Sequence, residues 1–175
     1  VTLAVLCNIN FARPMLGAMR ARGVPIATDV HTIADPDDTY NADWIRAASV
    51  LFMSDEKLPC APEDWVRRLW ERYDAPVVVI GRGMQGALLA VRADGFMERV
   101  PAVYTRPVVS TIGAGDALFS SFVHVYGASG DPYLAIRRAM VFASYKIGAT
   151  GAADGFLNAA GLERLSAEVY GSPRG

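Results

Sequence analysis

The sequence predicts an α/β protein: a three-layer αβα arrangement whose mainly parallel sheet ends in an antiparallel hairpin. Three observations carry this expectation. Short apolar, β-branched runs alternate with stretches of helical periodicity, as βα units require. The runs lack in-out alternation, as strands buried on both faces do. Around Asp94-Gly95 the period changes to that of two strands joined by a glycine turn.

Along the chain, strands are predicted at Thr2 to Leu6, Pro25 to Thr28, Val50 to Met53 and Val77 to Ile80. Phe11 to Arg22 reads as a helix that repeats Met15, Leu16 and Met19 and stops at Gly23. Ala42 to Ala48 follows a candidate cap at Asn41. Pro62 to Tyr73 is the clearest helix. Pro62 suits its first turn, Glu63 and Asp64 complement its dipole, and Trp65, Val66, Leu69, Trp70 and Tyr73 share a face. The hairpin is Ala87 to Val91 and Phe96 to Val100. Helices are then predicted over Asp116 to Tyr126, from the Asp131-Pro132 cap to about Ile147, and over Ala159 to Tyr170. Residues 1–171 are expected to form a single α/β core, followed by a flexible tail at 172–175. The chain opens without Met, apparently inside a buried strand (Val1 to Cys7), which predicts a truncated or cleaved chain.

Composition narrows the function classes. The 175 residues, 52% hydrophobic, suffice for a full core. With 17 Lys and Arg against 18 Asp and Glu and no basic run, a nucleic-acid partner is not expected. Apolar runs such as Gly86 to Val91 are too short to cross a bilayer, so no membrane partner is expected either. Cys7 and Cys60 have no metal-ligand spacing, which argues against a disulfide framework or zinc cluster and makes the cytoplasm the default compartment.

The stretch Val108-Val109-Ser110-Thr111-Ile112-Gly113-Ala114-Gly115-Asp116-Ala117-Leu118-Phe119 carries the chemistry. Gly113 and Gly115 lack a Cβ, so the backbone can turn sharply and aim several N–H groups into one space, and the helix that follows points its positive end there. That is a site for a phosphate or another oxyanion. Asp116 at its mouth, a carboxylate, could accept a proton from an attacking hydroxyl. Plain helix capping by Asp116 is the competing reading. A second glycine element, Gly81-Arg82-Gly83-Met84-Gln85-Gly86, has the spacing of a dinucleotide fingerprint. The context argues against hydride transfer, because a strand and turn follow where the crossover helix would have to start.

With these elements placed, the chain resembles the ribokinase-like, or PfkB, family of carbohydrate kinases. Thr111 to Phe119 resembles the family's C-terminal signature, which implies that Gly113, Ala114, Gly115 and Asp116 form an anion hole with Asp116 as general base. Gly83 to Gly86, with Gly81 before it, resembles the glycine turn beside the ATP phosphates and ribose. Gly23 to Asp29 resembles a family strand ending in Asp. Ala135 to Ala152 resembles the helix and Gly-Ala loop beside the adenine, which adds Thr111, Met140 and Gly151 to the nucleotide-binding candidates. The resemblance implies ATP and Mg2+ as cofactors and a sugar or polyol as acceptor. It also implies that the family's N-terminal strands, sugar contacts and lid are absent here. Their absence would expose an edge strand and favour a homodimer.

The chain departs from the family at named positions. Ser54-Asp55-Glu56-Lys57 puts Lys57 where a Glu is usual, so Glu56 is the magnesium candidate only on a register shifted by one, and Lys57 could instead meet phosphate. Ser110 stands where an Asp often precedes the Thr, so the monovalent-cation site frequent in the family is not implied. Gly81 replaces a Thr, and Met140 an Asn. A reading from another class, favoured by Lys57, Ser110 and Met140, is a non-catalytic nucleotide-binding or regulatory module derived from a kinase. A metal hydrolase built on Asp29-Val30-His31 with Asp35, Asp37 and Asp38 lacks a second nearby His. Those acids are expected to solvate a loop, and His124 to be a packed or capped side chain.

Overall fold

The computed structural model describes residues 3–171. The chain divides into two compact units, one of residues up to 82 with 87–99, the other of 83–86 with the residues from 100 onward.

The first unit is built on a six-stranded sheet whose strands lie side by side in chain order. They are β1 (Ala4–Val5), β2 (Ile26–Asp29), β3 (Val50–Ser54), β4 (Val77–Gly81), β5 (Ala87–Val91) and β6 (Phe96–Val100). β1 to β4 pair in parallel and β5 runs antiparallel to β4, giving the predicted mainly parallel sheet with a hairpin edge. In the register, Ser54 faces Gly81 and Gly81 faces Ala87. Leu51, Met53, Val78, Ile80, Leu88 and Ala90 join one core with Trp44, Trp65, Val66 and Leu69. The residues of opposite parity, Val50, Phe52, Val77, Val79 and Leu89, are also buried, which explains the unbroken apolar runs.

Three helices belong to this unit: α1 (Arg13–Ala21), α2 (Ala42–Ala47) and α3 (Pro62–Arg72). α3 has Pro62 in its first turn with Glu63 and Asp64 beside it, and it buries Trp65, Val66 and Leu69. The indole N–H of Trp65 donates to the Met53 sulfur at 3.2 Å.

Several sequence expectations are corrected in this unit. β1 is a two-residue edge strand with Val5 46% exposed, not a buried run, and Thr2 lies outside the described residues. The helix expected from Phe11 starts as a 3-10 turn over Asn10–Ala12 and becomes α-helical at Arg13, where Pro14 in the first turn lacks a donor that would go unused anyway. Leu16 is buried there, whereas Met15 points outward. Asn41 does not cap α2 with its side chain. Its amide donates to Asp38 Oδ2 at 2.7 Å and its Oδ1 accepts from Asn8 at 2.9 Å. Asp29, Asp35 and Asp38 accept the main-chain N–H of His31, Asp37 and Tyr40, so these acids shape turns.

The second unit holds α4 (Ala114–Ser129), α5 (Pro132–Lys146) and α6 (Ala159–Tyr170). Asp131 caps α5 by accepting from the N–H of Tyr133 and Leu134 at 2.8 and 3.1 Å, and Asn158 caps α6 through the N–H of Gly161. α4 buries Leu118, Phe119 and Phe122, and α5 buries Ile136, Ala139 and Val141. His124, expected to be packed, is exposed on α4. No helix among the described residues is long and apolar enough to cross a membrane. The predicted tail at 172–175 lies outside the described residues.

Candidate active site

α4 begins two residues before the predicted start, and the cause is Gly113. Its φ of 78° places it in the left-handed region, where a side chain would be strained, and it makes the bend that turns the chain into the helix. Ala114 N–H closes that bend on Thr111 O at 3.1 Å, and Ala117 N–H donates to Gly113 O at 2.9 Å. Ala114 is therefore not one of the anion donors expected from the sequence. Among the described residues, no main-chain oxygen takes up the N–H of Gly115 or Asp116. Both sit in the first turn, where helix amides have no partner of their own. A Cβ built on Gly115 would meet no neighbouring atom within 4 Å, so the space beside this glycine is open.

Asp116 lies in that first turn, not at the N-cap, and its side chain makes no capping hydrogen bond. Its carboxylate is exposed, and no donor among the described residues engages it. Plain capping therefore does not account for it. Thr111 is exposed beside it, and Ser110 Oγ accepts the Ile112 N–H at 3.3 Å.

The approach to this bend is latched to the end of α5. Val109 and Ser110 N–H both donate to Ile147 O, at 2.8 and 3.0 Å. The ammonium of Lys146, fully buried, donates to Gly151 O at 2.8 Å and to Ile112 O at 3.3 Å. Arg106 binds the same loop. Its Nε donates to Tyr145 O at 2.6 Å and its guanidinium stacks 3.7 Å from the Tyr145 ring centroid. A Cβ on Gly155 would stand 2.7 Å from Arg106 Nη2, so that glycine makes room for the arginine.

Lys146 thus ties the loop holding Gly151 to Ile112, the residue before the Gly113 bend. Other sequence candidates fall elsewhere. Met140 is only 5% exposed within α5, where it packs as a core side chain and does not present itself to a ligand. Gly86 has φ 87°, and a side-chain carbon there would overlap Val100 O and stand 2.6 Å from Ala102 N; close backbone packing alone requires this glycine. Gly83 lies in a 3-10 turn with open space where a Cβ would go. Gly81 and Glu56 belong to the first unit; Gly81 O accepts the Asp55 N–H at 3.0 Å, and Glu56 is exposed. Among the described residues, no group of three or more His, Cys, Asp or Glu could hold a metal ion.

Lys146 and Arg106 went unrecognised in the sequence. A lysine in the last turn of a helix reads as a dipole partner in solvent; its one distinguishing signal is a lone charge in the apolar run Val141 to Ala149.

The chain thus combines a mainly parallel sheet with a glycine bend that opens a helix carrying an exposed carboxylate in its first turn. The profile of the pfkB family carbohydrate kinases matches residues 36–159, and the chain belongs to that family. Over 74 residues it is 35% identical to deoxyribokinase from Salmonella typhi, covering 42% of this chain and 23% of that protein. Among solved structures, a microbiome-derived acarbose kinase superimposes with TM-score 0.86 at 30% identity, over 95% of this chain and 56% of its own. Arabidopsis thaliana ribokinase, solved with ribose and ATP, superimposes with TM-score 0.81 at 17% identity, over 95% and 56%. The chain thus spans little more than half the length of these solved kinases.

Proposed function

We propose that the protein bearing this chain moves the γ-phosphoryl group of ATP to a hydroxyl of a sugar or sugar-like molecule. The observation that carries this reading is the left-handed Gly113 bend, which leaves the N–H of Gly115 and Asp116 unclaimed beside an exposed, unpaired carboxylate. The names of its relatives, an acarbose kinase and a deoxyribokinase, favour a sugar as acceptor.

The open space at Gly115 and its two unclaimed amides fit an anionic phosphate. Magnesium, bound to the nucleotide phosphates when present, would supply charge neutralisation; Glu56 would be its carboxylate only on a register shifted by one, because the family's usual Glu position holds Lys57. Asp116 accepts the proton of the acceptor hydroxyl as that oxygen bonds to the γ-phosphorus and the bond to the bridging oxygen breaks, releasing ADP. The amides of Gly115 and Asp116 receive the charge that builds on the transferred group, and preorganised donors of this kind each lower such a barrier by ~3 kcal/mol. The reading is tested with Asp116→Asn in the intact protein. Turnover is expected to fall at least ~100-fold, the usual scale for a positioned base, with ATP binding retained. Near-normal turnover removes Asp116 from the mechanism. ATP binding without measurable transfer in the unaltered protein would favour the non-catalytic module instead.

A further inference from the structure

Among the described residues of the second unit, Lys146 is the buried charge that the proposed chemistry does not use. It is fully buried, and among the described residues no carboxylate pairs with it. Its ammonium contacts two main-chain oxygens, Ile112 O and Gly151 O, which belong to different loops. An unpaired buried ammonium is costly unless something nearby calls for positive charge. What lies nearby is the anion-facing bend: Ile112 immediately precedes Gly113, and a Cβ on Gly113 would stand 3.6 Å from Lys146 Cε.

Carbonyl oxygens converging from two loops are the donor set that a monovalent cation takes in place of its water shell. Here Lys146 already occupies that set. Ser110, the other side chain at this bend, is neutral and turns back to accept the Ile112 N–H, so it supplies no carboxylate to balance a second cation. The residues present do not fit a free monovalent ion between these carbonyls.

We infer that Lys146 is a tethered cation: its ammonium positions the Gly113 bend and gives the phosphate site a fixed positive charge, making the site independent of alkali ions. Lys146 is a positioning residue and touches no substrate. The inference rests on the phosphotransferase reading for its catalytic meaning, but its geometry can be tested separately.

The test compares the intact protein with Lys146→Met, which keeps the volume and removes the charge, and Lys146→Ala, which also opens the space. ATP·Mg affinity by calorimetry and thermal unfolding are measured in choline, potassium and ammonium chloride at equal ionic strength. The unaltered protein is expected to bind with the same affinity, within about twofold, in all three salts. Both variants are expected to lose at least ~10-fold in choline, and Lys146→Ala to regain affinity and melting temperature in potassium or ammonium alone, a cation selectivity that a merely structural lysine would not produce. A potassium requirement in the unaltered protein overturns the inference, as does either variant binding normally in choline or Lys146→Ala showing no selective recovery. If the unaltered protein binds no ATP in any salt, the phosphotransferase reading fails. The melting temperatures then still decide: selective restabilisation of Lys146→Ala upholds the tethered cation, and its absence refutes it.

Discussion

Gly115→Ala separates the folding role of the glycine bend from its chemical role. Gly115 has no positive φ, and a methyl group there would meet no atom within 4 Å, so the fold has room for it. The position lies in the first turn of α4, where alanine is the better helix former by up to ~1 kcal/mol. The substitution is therefore expected to leave stability unchanged or to raise the melting temperature by ~2–4 °C, the shift such an energy gives in a domain of this size. The same methyl would enter the open space beside Gly115, where the phosphoryl group is proposed to sit. A methyl that keeps the phosphoryl group from reaching one such donor is expected to cost what losing that donor does, ~3–4 kcal/mol of barrier or roughly 100- to 1,000-fold in turnover. Calorimetric unfolding and a coupled ADP-release assay on one preparation read both quantities. Full turnover in a folded Gly115→Ala protein would show that the open space is not the phosphate site. A large loss of stability would show that the glycine serves packing.

Gly86→Ala is expected to behave in the opposite way: its Cβ would overlap Val100 O at a positive φ, so thermal unfolding should register a loss of ~3 kcal/mol or more, beyond ordinary overpacking. Glu63 is held below its ordinary value of 4.5, first by its own main-chain N–H and then by Arg99, whose Nε donates to it at 2.9 Å. A depressed carboxylate stabilises the fold above its unfolded value, and that contribution disappears as pH falls through the folded value. Urea unfolding of Glu63→Gln across the acid range should therefore show a shallower decline below pH 4.5 than the unaltered protein shows.

Local signals were enough for much of this architecture. Asp131-Pro132 is a short-range cap, and the structure uses it as read. The apolar runs at Val50 and Val77 and the Asp94-Gly95 turn placed the parallel strands and the hairpin, because strand burial and turn chemistry are written in neighbouring residues. The errors occur where a contact made only in the folded chain decides. Asn41 looks like a cap until Asp38 and Asn8 claim its amide group. Ala114 looks like a phosphate donor until Thr111 O takes its N–H, a detail of how tightly the bend closes. Gly86 matches a nucleotide motif, yet the close approach of Val100 to Ala102 is enough to require it. Lys146 was invisible because only the folded chain brings Ile112 O and Gly151 O to one ammonium.

The last carbonyls of a helix usually fray into water, yet Ile147 O at the end of α5 receives both Val109 and Ser110 N–H. The final turn of α5 and the segment leading to Gly113 consequently melt or persist together. A fluctuation that unwinds one dismantles the other, so the glycine bend inherits the rigidity of a fifteen-residue helix, which a surface loop of its own length would not have.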